Sequence, residues 1–245
     1  MTAGMLANHS KAIFLSVCFL LLFLAGSPTA LAQCSSRQKE TQNSGSNDWK
    51  VGKTEGNIRA KNISSKTMKT VFTDVDAEKQ ISSYEIASLV GPFLSVAESL
   101  YWEGGAHPGH LARLVTVNLD TGRSPVLLTD IFPEKDIVRA LLKDGFIRKH
   151  VAGRLPGSLD DIRNLDGGCE VGFDLINESF VFHHVKRNEV AVRIGLSHGC
   201  EAMRGNYTEL GVYLPIPPPL ADSFRRAERN RTLGRHFRSR PSGNP

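Results

Sequence analysis

The residues best suited to do chemistry are Gly195-Leu196-Ser197-His198-Gly199. They match G-x-S-x-G, in which a serine at a sharp strand-to-helix turn acts as a hydrolase nucleophile. That chemistry needs a helix directly after the serine, a parallel sheet, and an acid and a histidine later in the chain. The segment that follows is a poor helix former with Gly205 inside it, and His236 is the one later histidine. The preferred reading is therefore the polar end of a strand in a chain without catalytic residues. A serine hydrolase using Ser197 is the alternative.

His107, His110, His183, His184 and His198 invite comparison with a zinc site. His107 and His110 fall in a loop, where spacing alone does not aim two rings at one ion, and no thiol or acid completes a zinc pattern nearby. His183 and His184 are adjacent on a strand, which should point them to opposite faces. The expectation is no metal and no cofactor. No phosphate-binding loop, dinucleotide fingerprint or HExxH motif is present, so no enzyme class is indicated.

Recognition is the better prospect. Residues 94–102 and 111–119 read as two strands, the second with apolar residues at every other position. The connection at 103–110 is too long for a two-residue hairpin turn. Gly104 and Gly105 give it backbone freedom, and Pro108 fixes the chain after His107. Aromatic residues beside a polar, glycine-rich loop suit partner binding. Tyr101, Trp102, Glu103, Gly104, Gly105, His107 and His110 form the candidate surface.

The elements that must carry this surface can be read along the chain. Residues 57–76 suggest one or two edge strands and 81–90 another strand. Residues 134–150 place Ile137, Val138, Leu141, Leu142 and Phe146 at helical spacing, which predicts one main helix. Asp130 and Pro133 mark its entry. A second short helix near 158–165 has Ser158 as its cap. Strands at 171–176, 179–185 and 189–196 read as an antiparallel meander, and 207–214 as a turn or short helix. The predicted class is α+β: an antiparallel sheet covered on one face by one main helix, with a second short helix.

Of 245 residues, 30 are Lys or Arg and 25 Asp or Glu. Residues 221–245 hold seven Arg against Asp222 and Glu228, a net +5, so the remainder is balanced at 23 and 23. The pI of about 9.1 thus describes a tail and not a basic fold. That tail is expected to be disordered, with at most weak contact to an anionic surface and no nucleic-acid partner; a further alternative to a binding role is a structural envelope component anchored through this basic tail. At the other end, Lys11, an apolar run over 12–26, and Ala30-Leu31-Ala32 read as a signal peptide cleaved after Ala32. The alternative is a lipoprotein anchored at Cys34. Residues 33–56 read as a flexible leader, leaving a single domain at 57–220. A periplasmic or secreted address suits a disulfide between Cys169 and Cys200.

Phe93-Leu94-Ser95-Val96, Gly104-Gly105-Ala106-His107-Pro108 and Val115-Thr116-Val117-Asn118-Leu119-Asp120-Thr121-Gly122 resemble the extracellular domain of RsiV-type anti-sigma factors. The resemblance extends over about 81–214, more loosely in its second half. It implies an α+β extracytoplasmic domain without catalytic residues, and a partner such as lysozyme or peptidoglycan. No sigma-binding segment or further membrane helix accompanies it, so a stand-alone exported domain is expected.

Overall fold

The computed structural model describes residues 49–78, 80–103, 108–151, 153, 155–200 and 207–236. The signal, its cleavage site, Cys34 and residues 237–245 lie outside them, as do Gly104, Gly105 and His107 of the candidate surface.

The fold is mostly β, which corrects the expected single sheet under one main helix. Ten strands form three antiparallel sheets among the described residues. The first sheet holds β1 (Trp49–Thr54), β2 (Asn57–Asn62) and β3 (Met68–Thr73) in that order. The second, β4 (Val75–Ala77), β5 (Gln80–Val90), β6 (Phe93–Trp102) and β7 (Gly109–Asn118), is a sequential meander. The third is ordered β10 (Thr208–Pro215), β9 (Glu189–Leu196), β8 (Phe180–Lys186). Tight turns join neighbours: Glu55 and Gly56, both at positive φ (50° and 73°), connect β1 to β2 as a two-residue hairpin demands.

The second sheet is the middle layer, because both of its faces are covered. On one face Leu94, Val96, Val115 and Val117 meet Ile58 and Ala60 of β2, whose alternation with Arg59 and Lys61 turns the charges outward. The opposite face is different in kind. Ser88, Ser95 and Thr116 are fully buried there. Ser95 and Thr116 share a hydrogen bond of 2.8 Å, and the Thr116 hydroxyl donates to the Phe180 carbonyl at 2.8 Å. Small hydroxyl side chains let the β8 backbone approach the middle sheet this closely. Ser88 Oγ, on the same face, has no hydrogen-bond partner among the described residues. Beyond this seam lies the larger apolar cluster, including Phe132, Ile137, Leu141, Phe180, Phe182, Ile194, Leu214 and Phe224.

The expected helix over 134–150 is two helices, α1 (Glu134–Leu141) and α2 (Gly145–His150). Asp144 breaks it: its carboxylate accepts the amides of Phe146 and Ile147 and starts α2 afresh. In α3 (Leu159–Arg163), Ser158 and Asp161 satisfy each other's backbone N–H groups. Residues 171–176 form no full strand; Gly172 makes a single bridge to Ser197. Residues 208–215, expected as a turn or helix, form β10, with Leu210, Val212 and Leu214 buried and Gly211 and Tyr213 turned out.

Both domain boundaries also move outward. Trp49–Thr54, placed in the leader by its polar surroundings, is β1. Ala221–Arg229, placed in a disordered tail, is α4. Phe224 is fully buried, edge-on to Phe182 with ring centroids 5.1 Å apart. Leu89 N donates to the Thr232 carbonyl, and the Thr232 hydroxyl donates to the Leu89 carbonyl, each at 2.7 Å. Thus Phe224 and Leu233 join the core while the arginines of α4 remain at the surface.

Candidate functional site

Strands β6 and β7 run past the core and end in the segment singled out for recognition. Cross-strand pairing puts Ile81, Tyr101 and His110 in a row on one face, and Gln80, Trp102 and Gly109 on the other. The Trp102 ring lies across Gly109, where any side chain would collide with it. Even so, Trp102 remains 38% exposed and Ile81 47%. The Tyr101 hydroxyl donates to Glu103 Oε1 at 3.3 Å, and desolvation, then the Glu103 charge, raise its pKa. Ser99 Oγ lies 3.3 Å from His110 Nε2. Of the candidate surface, the structure therefore gathers Tyr101, Trp102, Glu103 and His110 at one end of the middle sheet.

Below His110 the same face opens into a small cleft of about 10 Å³, the space of roughly one water. Leu111 and Ala112 of β7 line it opposite Leu196, Ser197, His198 and Tyr207. The two features that looked separate in sequence, the hairpin and the G-x-S-x-G segment, thus share one site.

The geometry around Ser197 is that of a pinned strand end. Its hydroxyl hydrogen-bonds Asp174 Oδ1, and its carbonyl accepts Gly172 N–H at 2.9 Å. Among the described residues no histidine nitrogen accepts the Ser197 proton, which a nucleophile elbow requires. The two glycines have steric causes. A side chain at Gly195 would meet Tyr207 and Ser179, and one at Gly199 would meet the Gly168 carbonyl. Beside it, Cys169 and Cys200 are placed as a disulfide pair, Cα–Cα 4.8 Å.

A second cluster corrects the expectation that His183 and His184 face apart. Strand β8 carries a bulge between Phe182 and His184, which pair with the consecutive residues Val192 and Ala191 of β9, so His183 is an extra residue in the strand. The two Nδ1 atoms lie 2.8 Å apart, and His184 Nε2 is 3.1 Å from the Tyr213 hydroxyl. Burial, then Arg235, Lys186 and Arg193, lower the His184 pKa. Among the described residues no group of three or more metal-ligating side chains comes together.

Sequence reasoning missed Ile81, Ser99, Asp174 and Tyr207. Each joins the site through strand register or a non-local bridge, for which local sequence carries no signal. No protein-family model matches the chain, and no curated protein matches it in sequence.

Proposed function

We propose that this chain is an exported, non-catalytic binding domain of the bacterial envelope, and that the end of the β6–β7 hairpin engages a lysozyme-type protein. The observation that carries the reading is the exposed end of the middle sheet. Trp102 and Ile81 are held in water by well-paired strands, with Tyr101 and His110 beside them. Rigid aromatic side chains of this kind anchor protein interfaces at low entropic cost. The engagement of Ser197 with Asp174, and the steric reasons for Gly195 and Gly199, favour binding over hydrolysis. The Cys169–Cys200 pair fits an oxidising compartment, reached by cleavage after Ala32 or by anchoring at Cys34.

Calorimetric titration of the exported protein with a panel of lysozymes tests the reading. Micromolar or tighter binding is expected, weakened at least tenfold by Tyr101→Ala with His110→Ala at unchanged melting temperature. Silence across the panel, with binding to muropeptides instead, would replace the protein partner by cell-wall glycan. Silence to both, or labelling of Ser197 by a fluorophosphonate probe, would overturn the proposal.

A further inference from the structure

Strand β7 is an edge of the middle sheet, and its two halves are finished differently. In the lower half each outward-facing residue has at least one backbone group engaged. Leu114 N–H donates to Ser179 Oγ at 3.0 Å, the Thr116 carbonyl accepts Val126 N–H at 2.7 Å, and Asn118 N–H donates to the Arg123 carbonyl at 2.9 Å. The register with β6 is unbroken from Asn118 to Gly109. Backbone direction alternates with period two, so the N–H and C=O groups of Ala112 and His110 point outward as well. Among the described residues they have no hydrogen-bond partner. Native sheets usually cover or blunt such edges. The opposite edge of this sheet does so, since β4 is three residues long and carries Asp76.

We infer that the His110–Ala112 edge is a strand-addition site, at which an extended segment of a partner polypeptide pairs with β7. The inference rests on the binding role proposed above and gives its mode. Two N–H and C=O pairs, two residues apart on one line, are complemented by another β-strand; a glycan lacks that two-residue repeat. The cleft sets the side-chain preference. A residue added beside Ala112 would point at Leu196, His198 and Tyr207, where about 10 Å³ admits only a small side chain. The residue before or after it would lie on the other face, towards Leu111 and the Arg113 stem. A second copy of this chain is a poorer occupant. Only a three-residue stretch is open, flanked by Ser179 below and by His198 and Tyr207 beside, which favours a flexible peptide over a rigid domain.

The test selects binders from a displayed library of random heptapeptides, then synthesises the best peptide and its N-methylated analogues. On wild-type protein, saturating peptide should slow amide exchange at His110 and Ala112 at least tenfold. N-methylation at alternate positions should weaken Kd at least tenfold. Ala112→Pro removes an outward N–H without breaking a bond to β6, so it should abolish peptide binding and leave the fold intact. Should that variant misfold, the exchange and N-methyl results on wild type decide alone. Selected peptides that leave these two amides unprotected, a selection yielding no binders, or protection that appears with protein concentration alone through dimerisation, would each overturn the inference. Lysozyme binding that survives Ala112→Pro would sink strand addition while sparing the hairpin as a recognition surface.

Discussion

Replacing Phe224 by Ala asks whether the arginine-rich C-terminal segment is a solvated tail or part of the core. The Phe224 side chain is fully buried, packed edge-on against Phe182, and Ala227 and Leu233 are buried with it. Truncating a buried Phe removes its transfer free energy and leaves a cavity, together about 3–5 kcal/mol. The lost edge-to-face contact, about 0.5–1.5 kcal/mol, is already inside that figure. For a domain of roughly 150–250 residues, 1 kcal/mol moves Tm by about 2–4 °C, so a fall on the order of 10 °C is expected. Urea unfolding of wild type and F224A, followed by tryptophan fluorescence and far-UV circular dichroism, gives the free energy and checks that the slope is unchanged. Arg225→Ala is the control. Its pair with Asp222 is exposed, and no measurable loss should follow. A cost below about 1 kcal/mol for F224A would refute the packing argument and restore the disordered tail.

Four further outcomes follow from the structure. Gly195→Ala drives a methyl group into Tyr207 and Ser179 and should cost about 1–3 kcal/mol by thermal or urea unfolding, whereas Gly211→Ala, with open space around it, should cost far less. Ser88→Ala removes a buried hydroxyl without a partner among the described residues and should be neutral or stabilising by up to about 1 kcal/mol; a clear loss of stability would reveal a partner for it. Reducing the Cys169–Cys200 link, with the two cysteines 31 positions apart, should cost about 3–4 kcal/mol, read as a lower urea midpoint in dithiothreitol. The His184 pKa is depressed in the folded state, so the unfolded chain takes up its proton first as pH falls. Stability should therefore decline below the ordinary imidazole pKa of about 6.5, down through the lower folded value. His184→Gln should flatten that decline between pH 7.5 and 5.5; an unchanged slope would assign it to other groups.

What the sequence made legible was local. The strands about 94–102 and 111–119, and the capped turn at Ser158, follow from alternation and capping chemistry within a few residues. Errors arose where a distant partner decided the outcome. Residues 208–215 alternate as Leu210, Val212 and Leu214, a strand pattern, but Pro215 and the prolines after it suggested a chain leaving the fold. The helix over 134–150 kept its apolar spacing across Asp144-Gly145, although Asp followed by Gly is also a fresh helix start. Charge hid both boundaries: α4 has only Phe224 and Ala227 buried among its arginines, and β1 buries half of Trp49 and Val51 beside lysines. The candidate site was half visible. Tyr101, Trp102 and His110 stood out by type, but the placement of His110 against Ser197 and Tyr207 depends on β7 packing across β9, which no local pattern records.

The double hydrogen bond between Thr232 and Leu89 joins residues 143 positions apart. Closing that loop from a fully unfolded chain carries a length-dependent entropy cost of roughly 4 kcal/mol, and the cost shrinks once the strands between have paired. The C-terminal segment should therefore dock late, after the folding transition state has formed. Contacts made that late are absent from the barrier to folding and oppose only the escape from the native state. The segment 221–236 then acts as a kinetic latch: weakening it should leave the folding rate nearly unchanged and shorten the lifetime of the folded domain. In a compartment patrolled by proteases, that lifetime, more than the equilibrium free energy, decides how long the domain stays intact.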